Sequence, residues 1–160
     1  MTPQKTYLDF AATTPVDSRV VTAMLPYFNQ SFGNPSSVHA YGQRAEDARD
    51  TARETIARYL NCKAKEAIFT SCGSESDNLA LRGAALARRE ITGANWILTT
   101  RIEHHAVSHT AMQLEKHFGF QIEWLETDEY GIVSPQTVRD AISTDTALVS
   151  IMWANNEIGS

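Results

Sequence analysis

Apolar positions change their spacing repeatedly along this chain, and each change predicts an element. Tyr7-Leu-Asp-Phe10 reads as a short extended arm ending in the turn-like run Ala11-Ala-Thr-Thr-Pro15. A helix is predicted from Asp17 to about Phe28, with Val20, Val21, Met24 and Leu25 on one side. Ser31 to Ser37 reads as a loop, because Gly33-Asn34-Pro35 interrupts any regular pattern. From Tyr41 to Leu60 the spacing becomes helical again. Ala45, Ala48, Ala52, Ile56 and Tyr59 line one side, and Glu46, Asp47, Arg49, Asp50, Arg53 and Glu54 the other.

Beyond that helix the pattern alternates. Ala67-Ile-Phe69 reads as a short strand, followed by a turn around Gly73 and a helix from about Asp77 to Arg89. Trp96–Thr100 is the next strand, then a helix from about Val107 to His117, then a strand at Gln121–Leu125. Ser134 and Pro135 mark a helix start, Ser as N-cap and Pro at the first helical position. The last strand, Ala147–Trp153, is apolar enough to be buried on both faces. Such β-α-β units predict an α/β fold: a helix-flanked, mainly parallel sheet. No repeat, low-complexity tract or linker interrupts it, so the chain reads as one continuous domain.

Composition narrows the classes of function. The 160 residues carry a net charge of −5, with 42% hydrophobic and 21% charged residues. That balance argues against a general nucleic-acid-binding surface. The apolar run Ala147–Ala154 is far too short to span a bilayer. Residues 1–6 lack the apolar core of a signal peptide. Two cysteines without such a signal point to reduced thiols in a cytoplasmic protein.

In open α/β sheets, ligands gather at the carboxyl ends of the strands. Three polar segments fall there: Ser71–Asn78, Arg101-Ile-Glu-His-His105 and Asn155-Asn-Glu-Ile-Gly159. The first offers a glycine, several hydroxyls and a helix N-terminus, a natural cup for a phosphate or another compact anion. The same residues also suit a plain capping box, with Ser74 as the cap and Asp77 completing it. Taken alone, the residues leave both readings open. His105 and His109 have the helical spacing of a metal-ligand pair, yet no third ligand has convincing spacing, so no metal is assigned. His104 at the turn suits either a flat stacking partner and proton carrier or a histidine bonded to backbone. Cys72, inside the cup, is a possible nucleophile, although small buried filler is the commoner role for it and for Cys62.

Five segments together resemble one family. Tyr7–Pro15, Phe32-Gly-Asn-Pro-Ser-Ser-Val-His39, Phe69–Asn78, Glu103-His104 and Ala154-Asn-Asn-Glu-Ile-Gly159 are similar, in order and spacing, to the signatures of cysteine desulfurases. These are fold-type I enzymes of the class V aminotransferase group that use pyridoxal phosphate. The resemblance implies that residues 16–160 form the first part of the large cofactor-binding domain, behind an N-terminal arm over 1–15. It implies phosphate contacts from Gly73 and Ser74, ring stacking and proton transfer by His104, and a contact from Asn156 to the cofactor's phenolic oxygen and the substrate carboxylate. Ala11, Thr13 and Asn34 match loops that border the substrate pocket. The implied reaction takes sulfur from L-cysteine, leaving L-alanine and an enzyme persulfide, with the cofactor ring as electron sink. A sulfur-acceptor or iron–sulfur scaffold protein is the implied partner, and a homodimer or a complementing C-terminal chain the implied assembly.

The departures are specific. Cys72-Gly73-Ser74 stands where the family usually has Gly-Ala-Thr, and Trp153 where close relatives commonly carry histidine. None of Lys5, Lys63, Lys65 and Lys116 lies in a cofactor-facing loop, so the Schiff-base lysine, the aspartate for the pyridine nitrogen and the persulfide cysteine are expected beyond Ser160. The expectation is a chain inactive without that lysine-bearing half. The alternative is a non-catalytic remnant that pairs with a full-length relative.

Overall fold

The computed structural model describes residues 6–160; of the arm expected over 1–15, residues 1–5, with Lys5, lie outside the described residues. The chain divides into two compact units, one ending at Phe69 and the other running from Thr70 to Ser160.

In the first unit the arm closes into a turn. The N–H groups of Ala12 and Thr13 donate to Asp9 O, and the Tyr7 hydroxyl reaches Asp9 O at 2.8 Å and Thr13 O at 3.1 Å. The single helix expected over Asp17–Phe28 is two: α1 (Ser18–Met24) and α2 (Pro26–Asn29). Pro26 explains the break, since it has no N–H to donate and its ring clashes with the preceding turn. Asp17 caps α1 by accepting the Arg19 N–H. The apolar side of α1 and its flank, Val20, Val21, Met24 and Leu25, is exposed.

The long helix α3 (Ala40–Tyr59) falls within a residue of its expected bounds and is capped by His39, whose Nδ1 accepts the Gly42 N–H. Loop 33–37 lies tight against its first turn. A Cβ at Gly42 would collide with the Ser37 carbonyl, and one at Gly33 with the Tyr41 carbonyl. After a 3-10 turn at Ala64–Glu66, the strand expected at Ala67–Phe69 does not form. Arg53 occupies the place of a neighbouring strand: its Nε donates to Ala67 O at 3.2 Å and its guanidinium lies 5.3 Å from the Phe69 ring centre.

The second unit holds α4 (Gly73–Thr92), β1 (Trp96–Thr100), α5 (His105–Phe118), β2 (Gln121–Leu125), α6 (Pro135–Ala141) and β3 (Thr146–Val149). The strands pair in parallel in the order β2-β1-β3, with Trp96 opposite Gln121 and Thr100 opposite Leu125. Helices α4 and α5 end on Gly93 and Gly119, both at positive φ, which halts each helix without a Cβ clash. Ala85 and Leu114 from these helices pack on Ile97 and Phe120, with Leu86, Ile122, Ala147 and Leu148 around them. On the opposite face, Pro135 and Val138 of α6 line a cavity of about 360 Å³ with Thr100 and Ile151. The α/β class and the parallel sheet with helices on both faces are therefore as expected.

β3 is shorter than Ala147–Trp153. Ser150 N–H still donates to Leu98 O, but Met152 N–H turns away to a side chain. Its residues are half-buried rather than buried on both faces, and β3 stands at the edge of the β2-β1-β3 sheet.

Candidate active site

Each helix of the second unit runs back against the parallel strands. The N-termini of α4 and α5 and the segment after β3 therefore meet the carboxyl edge of the sheet, where α/β folds bind ligands. All three polar segments singled out in the sequence belong to this edge.

The first is the start of α4. The helix begins at Gly73 rather than Asp77, which puts Ser74 inside the first turn. The Ser74–Asp77 capping box consequently does not form. Cys72 is the N-cap, in extended conformation, and its side chain closes no cap hydrogen bond. Instead the exposed thiol faces the N–H groups of Glu75 and Ser74 and the Ser71 hydroxyl. Those donors, the Glu75 amide first and Ser71 second, hold it below the usual thiol value of 9.0. Cys72 is thus no buried filler. The Glu75 carboxylate folds back outside the turn, accepting the Ser71 N–H at 2.7 Å and the Ser71 hydroxyl at 2.6 Å. Beside Gly73 there is open space: a Cβ built there meets nothing within 4 Å.

The second segment starts α5. His104 is its N-cap, its Nδ1 accepting the Ala106 N–H at 3.1 Å, with the ring exposed. His104 is therefore bonded to backbone through one ring nitrogen, and its ring is exposed. His105 and His109 stack with ring centres 4.9 Å apart. Among the described residues, no group of three or more His, Cys, Asp or Glu side chains is disposed to hold a metal ion.

The third segment follows β3. Asn155 is buried, and all its polar atoms are used within the fold. Its Nδ2 donates to Ile102 O at 2.8 Å, and its Oδ1 accepts the N–H groups of Glu157 and Ile158. Asn156 is exposed and donates to Glu157 Oε1 at 2.8 Å. Trp153 is fully exposed.

Two residues that sequence reasoning had not assigned a part join these segments. Glu103, quoted only beside His104, is 7% exposed, and its Oε1 accepts the Met152 N–H at 2.6 Å. Asn78 links the cup to α5: it donates to Ser74 O and accepts from Thr110 Oγ1 and Arg82 Nε, while Arg82 also donates to Gln113. A buried acidic residue straight after a strand is the signal that could have flagged Glu103.

Ala11, Thr13 and Asn34 belong to the first unit, all exposed, with Asn34 Oδ1 accepting the Ser36 N–H. Of the described lysines, Lys63 and Lys65 flank or lie in the 3-10 turn of that unit. Lys116 sits in the last turn of α5, at the far end from His104.

Residues 6–160 match the family described as Aminotransferase class-V. The chain belongs to it. Among class V relatives, a cysteine desulfurase IscS of Methanosarcina thermophila is 49% identical over 154 residues, 96% of this chain and 37% of the relative. Another, from Clostridium botulinum (strain Kyoto / Type A2), is 46% identical over 157 residues, 98% of this chain and 39% of the relative. A solved NifS-like protein superposes with a TM-score of 0.90 at 38% identity, over 98% of this chain and 42% of that one. A solved SspA in complex with cysteine gives 0.86 at 39% identity, over 96% of this chain and 43% of that one. The chain spans about 40% of the length of these relatives.

Pyridoxal phosphate is the cofactor that class V membership implies in general. Its phosphate needs N–H donors at an uncapped helix start, which Gly73 and Ser74 supply with open space beside them. Its ring needs a flat exposed partner and its oxygen a hydrogen-bonding side chain, and His104 and Asn156 have that character. The residues present fit the group. The described lysines stand in none of the three edge segments.

Proposed function

We propose that this chain is the N-terminal portion of a pyridoxal-phosphate-dependent cysteine desulfurase. The observation that carries the reading is the uncapped α4 N-terminus, with open space at Gly73, on the same sheet edge as exposed His104. Desulfurase relatives at 46–49% identity support the same reading. Residues 16–160 are then the first part of the large domain, behind an arm over 1–15.

The roles are those that the family resemblance implies, and the chemistry of each side chain supports them. Gly73 donates its backbone N–H to the phosphate, and Ser74 donates N–H and hydroxyl, assisted by the positive end of the α4 dipole. His104, with Nδ1 held by the Ala106 N–H, would have Nε2 left to move a proton and its exposed ring left to stack on the cofactor. Asn156 binds the phenolic oxygen or the substrate carboxylate, the role that buried Asn155 has no atoms left to fill. Ala11, Thr13 and Asn34 border the L-cysteine pocket. When bound, the cofactor supplies an electron sink for cleavage at the substrate.

Sulfur passes from L-cysteine to an enzyme thiol, leaving L-alanine, and onward to an acceptor or iron–sulfur scaffold protein. We assign that thiol and the anchoring lysine to a second half, supplied by a complementing chain or a homodimeric full-length form. The working compartment is the cytoplasm.

The test is titration of the 160-residue chain with pyridoxal phosphate, followed by absorption and borohydride reduction. Saturable binding that inorganic phosphate competes away, without stoichiometric reduction onto one lysine, is the expected result. No binding at all would sink the cofactor assignment. Stoichiometric labelling of a single lysine would overturn the claim that the anchor lies elsewhere.

A further inference from the structure

Glu103 sits where two of the edge segments touch. It follows β1, precedes the His104 cap, and is the one buried charged side chain among the described residues. A carboxylate at 7% exposure needs strong donors to stay buried. It has the Met152 N–H at 2.6 Å, from a residue 49 positions away, and the Thr100 hydroxyl at 3.4 Å. Nearby, Asn155 donates to Ile102 O, so a second bond joins the same two segments. Both bonds run the same way: the segment after β1 gives the two acceptors, a carboxylate and a backbone carbonyl, and the segment after β3 the two donors, an N–H and a side-chain amide. Asn155 then folds its own turn by accepting the Glu157 and Ile158 N–H groups, while Gly159 N–H donates to Asn155 O and Asn155 N–H to Ser160 O.

That arrangement constrains more than two loops. On one side of the pair of bonds stands His104, the next residue after Glu103; on the other stands Asn156, the next residue after Asn155. Their places on the edge are therefore set by bonds made through their immediate neighbours, which themselves point inward.

We infer that Glu103 is a positioning residue: together with Asn155 it clasps the segment after β1 to the segment after β3, and so holds Asn156 in register with His104. Glu103 reaches the ligand only through these two neighbours. The part of this inference that concerns cofactor affinity rests on the function proposed above; the clasp itself does not.

The two are separated by measuring both on the 160-residue chain. Amide hydrogen exchange without ligand reads the clasp. In Glu103→Ala, faster exchange is expected at Met152 and, in concert, at Glu157 and Ile158, whose N–H groups Glu103 does not touch. Glu103→Gln keeps an acceptor oxygen and is expected to restore protection at all three. Faster exchange at Met152 alone, or no change, would overturn the clasp.

Titration then reads its consequence. Glu103→Ala is expected to weaken pyridoxal phosphate at least tenfold and to leave inorganic phosphate affinity within twofold, because the cup is built on α4. Equal losses for both ligands would mean a general loosening of the unit, and unchanged cofactor affinity would mean that Glu103 positions nothing; either refutes the inference. If the unmodified chain binds neither ligand, the proposed function fails and the exchange pattern alone decides the clasp.

Discussion

Thr110 and Asn78, 32 positions apart, meet across α5 and α4 with Thr110 Oγ1 2.8 Å from Asn78 Oδ1. The Thr110 hydroxyl has one proton and two acceptors within reach, Asn78 Oδ1 and Ala106 O at 2.7 Å. Asn78 uses its other side-chain atom to hold Ser74 O at 2.9 Å. The first turn of α4 is thereby tied to the helix that His104 caps. Thr110→Val keeps the shape and removes the proton. With Thr110 3% exposed, the loss of that bond is expected to cost about 1 kcal/mol. A lowered urea midpoint with an unchanged m-value is the predicted signature. No shift would mean that the Ala106 carbonyl already takes the proton.

Gly42 is buried where α3 meets loop 33–37, and a Cβ there would enter the Ser37 carbonyl. Backbone cannot yield as a side-chain tip does. Gly42→Ala is therefore expected to destabilise the first unit by roughly 1–3 kcal/mol despite alanine's better helix propensity. It should also displace the loop that carries Asn34. Nuclear magnetic resonance shifts localised to residues 33–39 would report that displacement; a stabilised variant with unshifted loop resonances would contradict the packing.

Much of this architecture was legible beforehand, for identifiable reasons. Trp96–Thr100 and Gln121–Leu125 each begin just beyond a helix that ends on glycine, Gly93 and Gly119, so a chain break marks their starts as well as spacing. Ser134 and Pro135 announced α6, and the Ser134 hydroxyl does accept the Thr137 N–H. What misled was local pattern that a tertiary contact overrides. Ala67–Phe69 looks like a strand, but Arg53 satisfies the Ala67 carbonyl. Ala147–Trp153 looks like one long strand, but Glu103 draws the Met152 N–H out of the ladder. At the candidate site, residue types drew attention to Gly73, Ser74 and His104, and the family resemblance to Asn156. The bonds of Glu103, Asn78 and Asn155 span too many residues for spacing alone to reveal them.

The Cys72 thiol and a bound phosphate compete for one donor. The Ser74 N–H, which with the Glu75 N–H and the Ser71 hydroxyl holds the thiol's pKa below 9.0, is also the one assigned to the phosphate. Two anions cannot share it without repulsion. Cys72 is accordingly expected to react with iodoacetamide faster than half-buried Cys62 at neutral pH. Saturating inorganic phosphate should slow Cys72 alone and move its rate profile to higher pH. Peptide mass spectrometry over time resolves the two sites. An identical Cys72 profile with and without phosphate would remove the cup from the anion-binding assignment.

Glu103 makes stability depend on pH in an unusual direction for a carboxylate. Burial is the largest influence and pushes its pKa above the ordinary 4.5; the Met152 N–H and the Thr100 hydroxyl oppose that push, and Asp77 adds to it. A raised acid holds its proton more tightly in the folded state than in the unfolded one. Folding stability from this group is therefore greatest below 4.5 and declines as pH rises from there through the raised value. Glu103→Gln stays neutral throughout and still offers Met152 an acceptor. Its stability relative to the unmodified chain should increase with pH across that window and then level off. Urea unfolding at constant ionic strength, at a series of pH values from 4 upward, reads the difference. Because Asp77 contributes to the push, Asp77→Asn in the unmodified background should narrow the window from above. A difference that shrinks with rising pH would mean that the Met152 and Thr100 donors outweigh burial, leaving the charged form of Glu103 favoured by folding.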